Sequence, residues 1–340
     1  MTRHQAPWPG AVAVSGGGDS IALMHLLRDW AKKSRVVLPV VLTVDHGLQP
    51  RSKANARRVL RWARALGLKA HLLSWGGDKP KSDIEAEARE ARYRLMGEWC
   101  RKHGIATLYA GHTQNDQAET FLLRLARGSG LDGLAAMRAV SFYPVAGFEE
   151  LRLARPLIDF DRDVLRAHLS ARAQEWIEDP MNADPRFSRV RIREALKSLA
   201  AAGLTSTRIA DAAAHLGRAR EALDAVTAAV LQRACRADGD VVLIEPAALL
   251  SAPREVGLRA LAHLLMGVSS QTYRPRFDRL ERLFDVISAG KLGAGRTLHG
   301  CHIASAPSSR AFFGTDTLLI APEKPRKTGK VDENRPRRPN

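Results

Sequence analysis

The chain has 340 residues, 45% of them hydrophobic, enough to bury a sizeable core and, at about 150 residues per domain, to form two domains. Lys and Arg total 53 against 36 Asp and Glu, and this formal net charge of +17 points to a polyanionic partner, because basic side chains that neutralise phosphates release condensed counterions. No apolar run nears the roughly 18 residues of a membrane span and no signal-peptide h-region opens the chain; Cys100, Cys235 and Cys301 form no C-x-x-C, which argues against a zinc knuckle or redox pair and suits a reducing cytoplasm.

Ala11 to Val14 is a short apolar run that meets a glycine cluster, and a helical pattern follows from Asp19 to about Ala31. Val36 to Asp45, rich in Val and Leu, reads as a buried parallel strand. Next come a helix over Ser52–Leu66, a strand over Lys69–Ser74, a long helix over Ile84–Lys102, a strand over Ala106–Ala110 and a helix from about Asn115 to Arg127. Strands alternating with helices of this length predict βαβ units and one α/β domain on a parallel sheet, with ligands at the carboxyl ends of its strands. Gly128 to Gly133 breaks the pattern; a strand over Leu151–Pro156 and a helix over Arg162–Arg172 follow.

Past Gly203 the character changes. Thr205–Arg236 reads as one Ala-rich helix, Val241–Ile244 as a strand, Pro253–Met266 and Arg276–Ser288 as helices, and Gly293–Ala304 with Arg310–Ile320 as a small sheet. The expected organisation is a catalytic α/β domain over 1–204 and a smaller, mostly helical α+β domain over 205–321. Residues 322–340 read as a basic, disordered tail that adds non-specific attraction to RNA.

The strongest chemical signal is Ser15-Gly16-Gly17-Gly18-Asp19-Ser20 between a strand and a helix. Glycines let backbone approach phosphates, and the amides of the loop and helix N-terminus make an anion site, to which Ser15 and Ser20 add hydroxyls. Asp19 cannot favour a phosphate by charge; it serves either as a helix cap or as a ligand for Mg²⁺ bridging the phosphates. No G-K-[ST] follows, so this is not a Walker loop, and G-x-G-x-x-G is absent.

This string resembles the pyrophosphatase loop of the N-type ATP pyrophosphatases, the PP-loop family with an adenine-nucleotide α-hydrolase-like fold. The resemblance implies that ATP is cleaved between its α- and β-phosphates to leave an adenylated substrate. Three segments narrow the substrate. Val44-Asp45-His46-Gly47-Leu48 ends the second strand, so Asp45 and His46 point into the ligand crevice, with a strand-end turn as the competing reading. Glu85-Ala86-Glu87-Ala88-Arg89-Glu90-Ala91-Arg92-Tyr93 is either a salt-bridged helix face or a functional pattern. Gly111-His112-Thr113-Gln114-Asn115-Asp116-Gln117-Ala118-Glu119 sets Asp116 and Glu119 on one helix face in the first turn, placed to cap the helix or to hold an ammonium or a metal. Phe121, Leu122 and Leu125 give that helix its core stripe; Arg124 and Arg127 follow, Arg127 at a glycine turn where arginine suits the α-phosphate or RNA backbone.

Together these segments are similar to the tRNA(Ile)-lysidine synthetase family. The likeness continues in Arg155-Pro156-Leu157, in Trp176 to Asn182, and in Arg189, Arg191 and Arg193, whose clustering favours tRNA backbone contact over a merely solvated face. The chain departs from the family pattern at Thr113, Asn115, Met181 and Val190. The resemblance implies that ATP and Mg²⁺ sit on the Ser15–Ser20 loop with His46, Gly111, His112 and Arg127 nearby. The wobble cytidine of the CAU anticodon of isoleucine tRNA then becomes adenylated, and free L-lysine displaces AMP. Asp45, Asp116 and Glu119 are the candidates for lysine binding and proton handling, the base among them unassigned, and Arg124, Arg189, Arg191 and Arg193 the candidates for tRNA contact. The alternative is a tRNA thiolase of the same fold, which commonly needs a cysteine pair or an iron–sulfur cluster that these cysteines do not provide.

Overall fold

The computed structural model describes residues 6–77, 79, 83–178, 184, 186–271 and 273–323. Met181 and residues 324–340, the bulk of the expected tail, lie outside the described residues. The chain divides into two compact units, Met1–Arg220 and Glu221–Asn340.

The first unit is built on a six-stranded sheet of β1 (Ala11–Ala13), β2 (Val40–Asp45), β3 (Ala70–Ser74), β4 (Thr107–Tyr109), β5 (Val140–Phe142) and β6 (Arg152–Ala154), in the order β3-β2-β1-β4-β6-β5. All neighbours are parallel except β5, which runs antiparallel to β6 at the edge. Strand β1 therefore sits where the order reverses, with Val12 registered on Val41 of β2 and on Tyr109 of β4. In open α/β sheets the crevice at this switch point, beyond the strands' carboxyl ends, receives ligands.

The connecting helices are α1 (Gly18–Lys33), α2 (Ser52–Ala65), α3 (Ile84–Lys102), α4 (Gln114–Leu125), the short α5 (Leu131–Leu134), α6 (Arg162–Ser170) and α7 (Ser188–Ala201). Helix α2 shows why such segments lie against a sheet. It buries Ala56, Val59 and Ala63, one stripe at helical spacing, and leaves its arginines outside. Helix α8 (Ser206–Ala234) begins in the first unit and ends in the second.

The second unit carries a five-stranded antiparallel sheet, β7 (Cys235–Asp238), β8 (Val241–Ile244), β9 (Arg296–Leu298), β10 (Cys301–Ser305) and β11 (Leu318–Pro322), ordered β7-β8-β11-β10-β9. Helices α9 (Pro246–Leu250), α10 (Arg254–Ser269) and α11 (Phe277–Ser288) accompany it. Helix α11 buries Leu280, Leu283, Phe284 and Ile287 in the core under that sheet, each side chain contributing roughly 1.5–3 kcal/mol.

Several boundaries differ from the sequence reading for local reasons. Strand β2 starts at Val40 because Pro39 precedes it and Val37 is 68% exposed in the turn that leaves α1. The long helix stops at Ala234 because Cys235–Asp238 pairs with β8 through a two-residue turn whose Gly239 has φ +67°. Leu125, expected in the core stripe of α4, is 49% exposed, whereas Phe121 and Leu122 pack beside buried Ala118, Leu196 and Ile209.

Candidate active site

The site is built from two loops that meet at the switch point. Beyond β1, Gly17 is the N-cap of α1 and no side chain caps it, so the amides of the first turn are free to face an anion. Asp19 therefore does not cap; it sits inside the first turn with its carboxylate available. The loop is braced from within. The Ser20 hydroxyl donates to the Gly17 carbonyl (2.8 Å) and accepts from the Ser15 amide (3.2 Å), and the two hydroxyl oxygens lie 3.2 Å apart. Gly16 has φ +98°, and a Cβ there would fall 2.6 Å from the Ile177 side chain, whose amide donates to the Gly16 carbonyl (2.8 Å). Trp176 lies over Gly18. Gly16→Ala thus combines left-handed backbone with a clash; it is expected to weaken nucleotide binding by about tenfold or more, read by equilibrium binding of an ATP analogue, for a strain on the order of 1–3 kcal/mol.

Beyond β4, Gly111 packs backbone to backbone on the first loop: a Cβ at 111 would lie 2.9 Å from the Asp19 carbonyl oxygen. Thr113 then caps α4, and with Asp116 it forms a capping box: Asp116 Oδ2 accepts from the Thr113 amide (2.8 Å) and hydroxyl (2.9 Å). One face of Asp116 is thereby fixed, and its other oxygen, Oδ1, points to Arg162. Thr113, a departure from the family pattern, is what makes the cap. Asn115, another departure, accepts from the Arg162 amide (2.8 Å) and so anchors the start of α6. Val190 is buried, so apolar packing stands where the family pattern has a polar residue.

Arg162 joins the carboxylates. Its guanidinium lies 3.0 Å from Asp19, 3.3 Å from Asp116 and 3.4 Å from Glu119. Glu119 is 1% exposed and is gripped again by Arg193, at 2.7 and 3.2 Å. Burial pushes the Asp19 carboxyl upward, and Arg162 opposes that shift. The sequence reading missed Arg162. A usable signal was present, since a cation in the first turn of α6 opposes the helix dipole unless acids outside the helix hold it.

The two histidines are neutral. Burial lowers His46 to about 4, aided by Arg92, whose Nε lies 3.3 Å from His46 Nε2. Burial also lowers His112 to about 4. Each has a solvent-shielded Nδ1 with no hydrogen-bond partner among the described residues. Because both folded values lie below the ordinary 6.5, the unfolded chain takes up more protons between about pH 6.5 and 4. Stability is expected to fall on acidification through that window, and His112→Asn to flatten the fall in urea-melt titrations.

Asp45 stands apart from this cluster: its Oδ1 accepts from the Gly47 amide (3.0 Å) and from the Ser52 hydroxyl, a strand-end turn. Arg127 is exposed just past the far end of α4, roughly 16 Å along the axis from Asp116 at 1.5 Å per residue. Arg124 donates to the Gly133 carbonyl (2.7 Å), Arg191 is exposed on α7, and half-buried Arg189 lies close enough to His112 to help lower it.

The residues fit a nucleotide with Mg²⁺. Magnesium usually takes one or two protein carboxylates and completes its shell with phosphates and water, and Asp19 beside the open amides offers that arrangement. No group of three or more metal-ligating side chains occurs among the described residues.

Comparison with known proteins agrees with this geometry. The PP-loop domain family matches residues 7–199. The tRNA(Ile)-lysidine synthase of Ruegeria pomeroyi is 42% identical over 325 residues, 93% of this chain and 74% of that protein. Its counterpart in Methylobacterium nodulans is 39% identical over 328 residues, 94% of each chain. The Wolbachia pipientis wMel protein is 38% identical, covering 91% of this chain and 70% of its own length. With a glycine loop at the switch point, acids gathered beside it and relatives of this closeness, the chain belongs to the tRNA(Ile)-lysidine synthase family of PP-loop proteins.

Proposed function

We propose that this chain uses ATP and free L-lysine to convert the wobble cytidine of the CAU anticodon of isoleucine tRNA to lysidine. The observation that carries the reading is the meeting of an uncapped glycine loop with Asp19, Asp116 and Glu119 around one guanidinium. The α1 amides with Ser15 and Ser20 hold the triphosphate, and Asp19 would hold Mg²⁺, which neutralises charge on the leaving pyrophosphate. The cytidine carbonyl oxygen attacks the α-phosphate and pyrophosphate leaves. The lysine ε-amine then attacks the activated carbon and AMP departs.

The lysine ammonium must lose a proton before it can attack. Asp116 and Glu119 suit its binding, because the space between them already holds a cation. The incoming amine competes there with Arg162. Asp45 remains a candidate for proton handling, and the base among the three is unassigned. Arg189, Arg191 and Arg193 lie on one helix and are the candidates for tRNA phosphates, with Arg193 also held by Glu119.

A thiolase reading needs reactive sulfur. Cys100 and Cys301 are buried and Cys235 is half-buried; burial pushes Cys100 up to about 12, Cys235 to about 11 and Cys301 upward as well, so thiolates are disfavoured.

The deciding assay supplies ATP, radiolabelled lysine and purified isoleucine tRNA. ATP-dependent incorporation of label supports the reading, and pyrophosphate release without incorporation of lysine overturns it. Affinity for tRNA is expected to fall with a log–log salt slope of roughly −0.7 per neutralised phosphate of the single-stranded loop, measured by filter binding; a flat response removes the backbone contacts.

A further inference from the structure

The second unit holds a cleft that the chemistry at the strand tips does not use. It has two adjoining parts, of about 390 and 410 Å³, that share Arg279, Leu298 and His299. Each falls within the range of roughly 300–1,000 Å³ typical of small-ligand sites. Its walls come from the start of α11 and from the turn between β9 and β10.

The lining is cationic. Arg276, Arg279, Arg282 and Arg296 face it, and Glu323 is its one carboxylate among the described residues. Arg276, Arg279 and Arg282 are exposed and enter no ion pair among the described residues. Two acids of the same helix are turned elsewhere, Glu281 and Asp285 lying 3.5 and 2.7 Å from Arg254, and the third, Asp278, enters no ion pair among the described residues.

The cleft also has features a bare phosphate would not require. Tyr273 is 66% exposed on its wall and stands edge-on to the His299 ring, at 5.0 Å and 86°. His299 is held in left-handed backbone, φ +57°, an uncommon conformation for a side chain of this size. Its Nε2 and the Oε1 of Gln271 are shielded from solvent without a hydrogen-bond partner among the described residues. The exposed aromatic face matches the plane of a base, while the arginines match the phosphates on either side.

We propose that this cleft binds an unpaired nucleotide, with its base on Tyr273 and its phosphates on Arg279 and Arg282. The nucleotide belongs to an RNA strand, because arginines line both adjoining parts of the cleft, more than a single phosphate requires. The assignment rests on the reading of the chain as an enzyme that acts on tRNA. A duplex has its bases stacked away and cannot fill such a pocket.

The test uses the full chain with three probes: a single-stranded RNA hexamer, the same strand in duplex, and AMP. The hexamer is expected to bind most tightly. Tyr273→Ala should weaken it about tenfold or more, and Arg279→Ala with Arg282→Ala should reduce the log–log salt slope by about 1.4, two phosphates at roughly 0.7 each. Pyrophosphate release on an excised anticodon stem-loop should be unchanged in both variants, which also verifies their folding. Equal binding of duplex and single strand, or a hexamer affinity untouched by these substitutions, overturns the cleft. AMP binding as tight as the hexamer would overturn the strand assignment in favour of a free nucleotide. A wild-type chain that incorporates no lysine would instead sink the tRNA-modifying reading, while leaving the hexamer measurements interpretable.

Discussion

Asp19→Ala is expected to lower ATP-dependent pyrophosphate release by about 10²–10³-fold or more, the usual cost of removing a preorganised electrostatic group at a reacting phosphate. The fold should survive, because Asp19 makes no capping bond and its partner Arg162 keeps Asp116 and Glu119. Circular dichroism separates the two effects. If release persists at the wild-type rate while the melt is unchanged, Asp19 has no part in holding the phosphates. Nucleotide binding itself should weaken less than turnover, since the α1 amides and the serines remain.

Glu119→Gln is expected to do two things at once. Glu119 is almost wholly buried and neutralises two guanidiniums, with the Arg193 pair at 2.7 Å and the Arg162 pair at 3.4 Å. Removing its charge leaves those arginines undercompensated and should lower unfolding stability by about 3 kcal/mol, measured by urea melts. Lysine binding should weaken by about 10–100-fold in apparent KM, the cost of one charge-assisted contact. A variant with normal stability and normal lysine KM would remove Glu119 from the amine site. Glu119→Asp distinguishes the two roles: it restores charge, and a return of stability without a return of lysine KM assigns Glu119 a direct contact with the amine, whereas a joint return of both assigns it to the scaffold alone.

The alternation of strand and helix in the first unit is legible in the sequence because its helices are long and its strands lie in short apolar runs, and because glycines mark the strand ends. Helix α3 and strand β8 were read to the residue. The short strands β5 and β7 were not. Three or four residues carry no periodicity, and such strands exist only because β6 and β8 offer them a ladder. The same limit applies to the site. The glycine loop is contiguous and legible, whereas Arg162 reaches carboxylates 143, 46 and 43 residues away in the chain. No local pattern joins those positions. Asp116 reads from sequence either as a cap or as a ligand, and the geometry shows the cap through one oxygen while the other faces Arg162. Arg127 lies past the far end of α4; sequence proximity to a glycine turn says nothing about which end of a helix faces the crevice.

The contact of Gly111 with the Asp19 carbonyl leaves no side chain between the tips of β1 and β4. Their separation is therefore set by hard-sphere backbone contact rather than by deformable packing, and neither tip can close further on the other. Under the proposed reaction, a nucleotide seated on one tip and an amine on the other would share a rigid wall. Any adjustment during turnover must come from the outer covers, such as Trp176 and the start of α6, and labels placed there should report motion that labels in the strands do not.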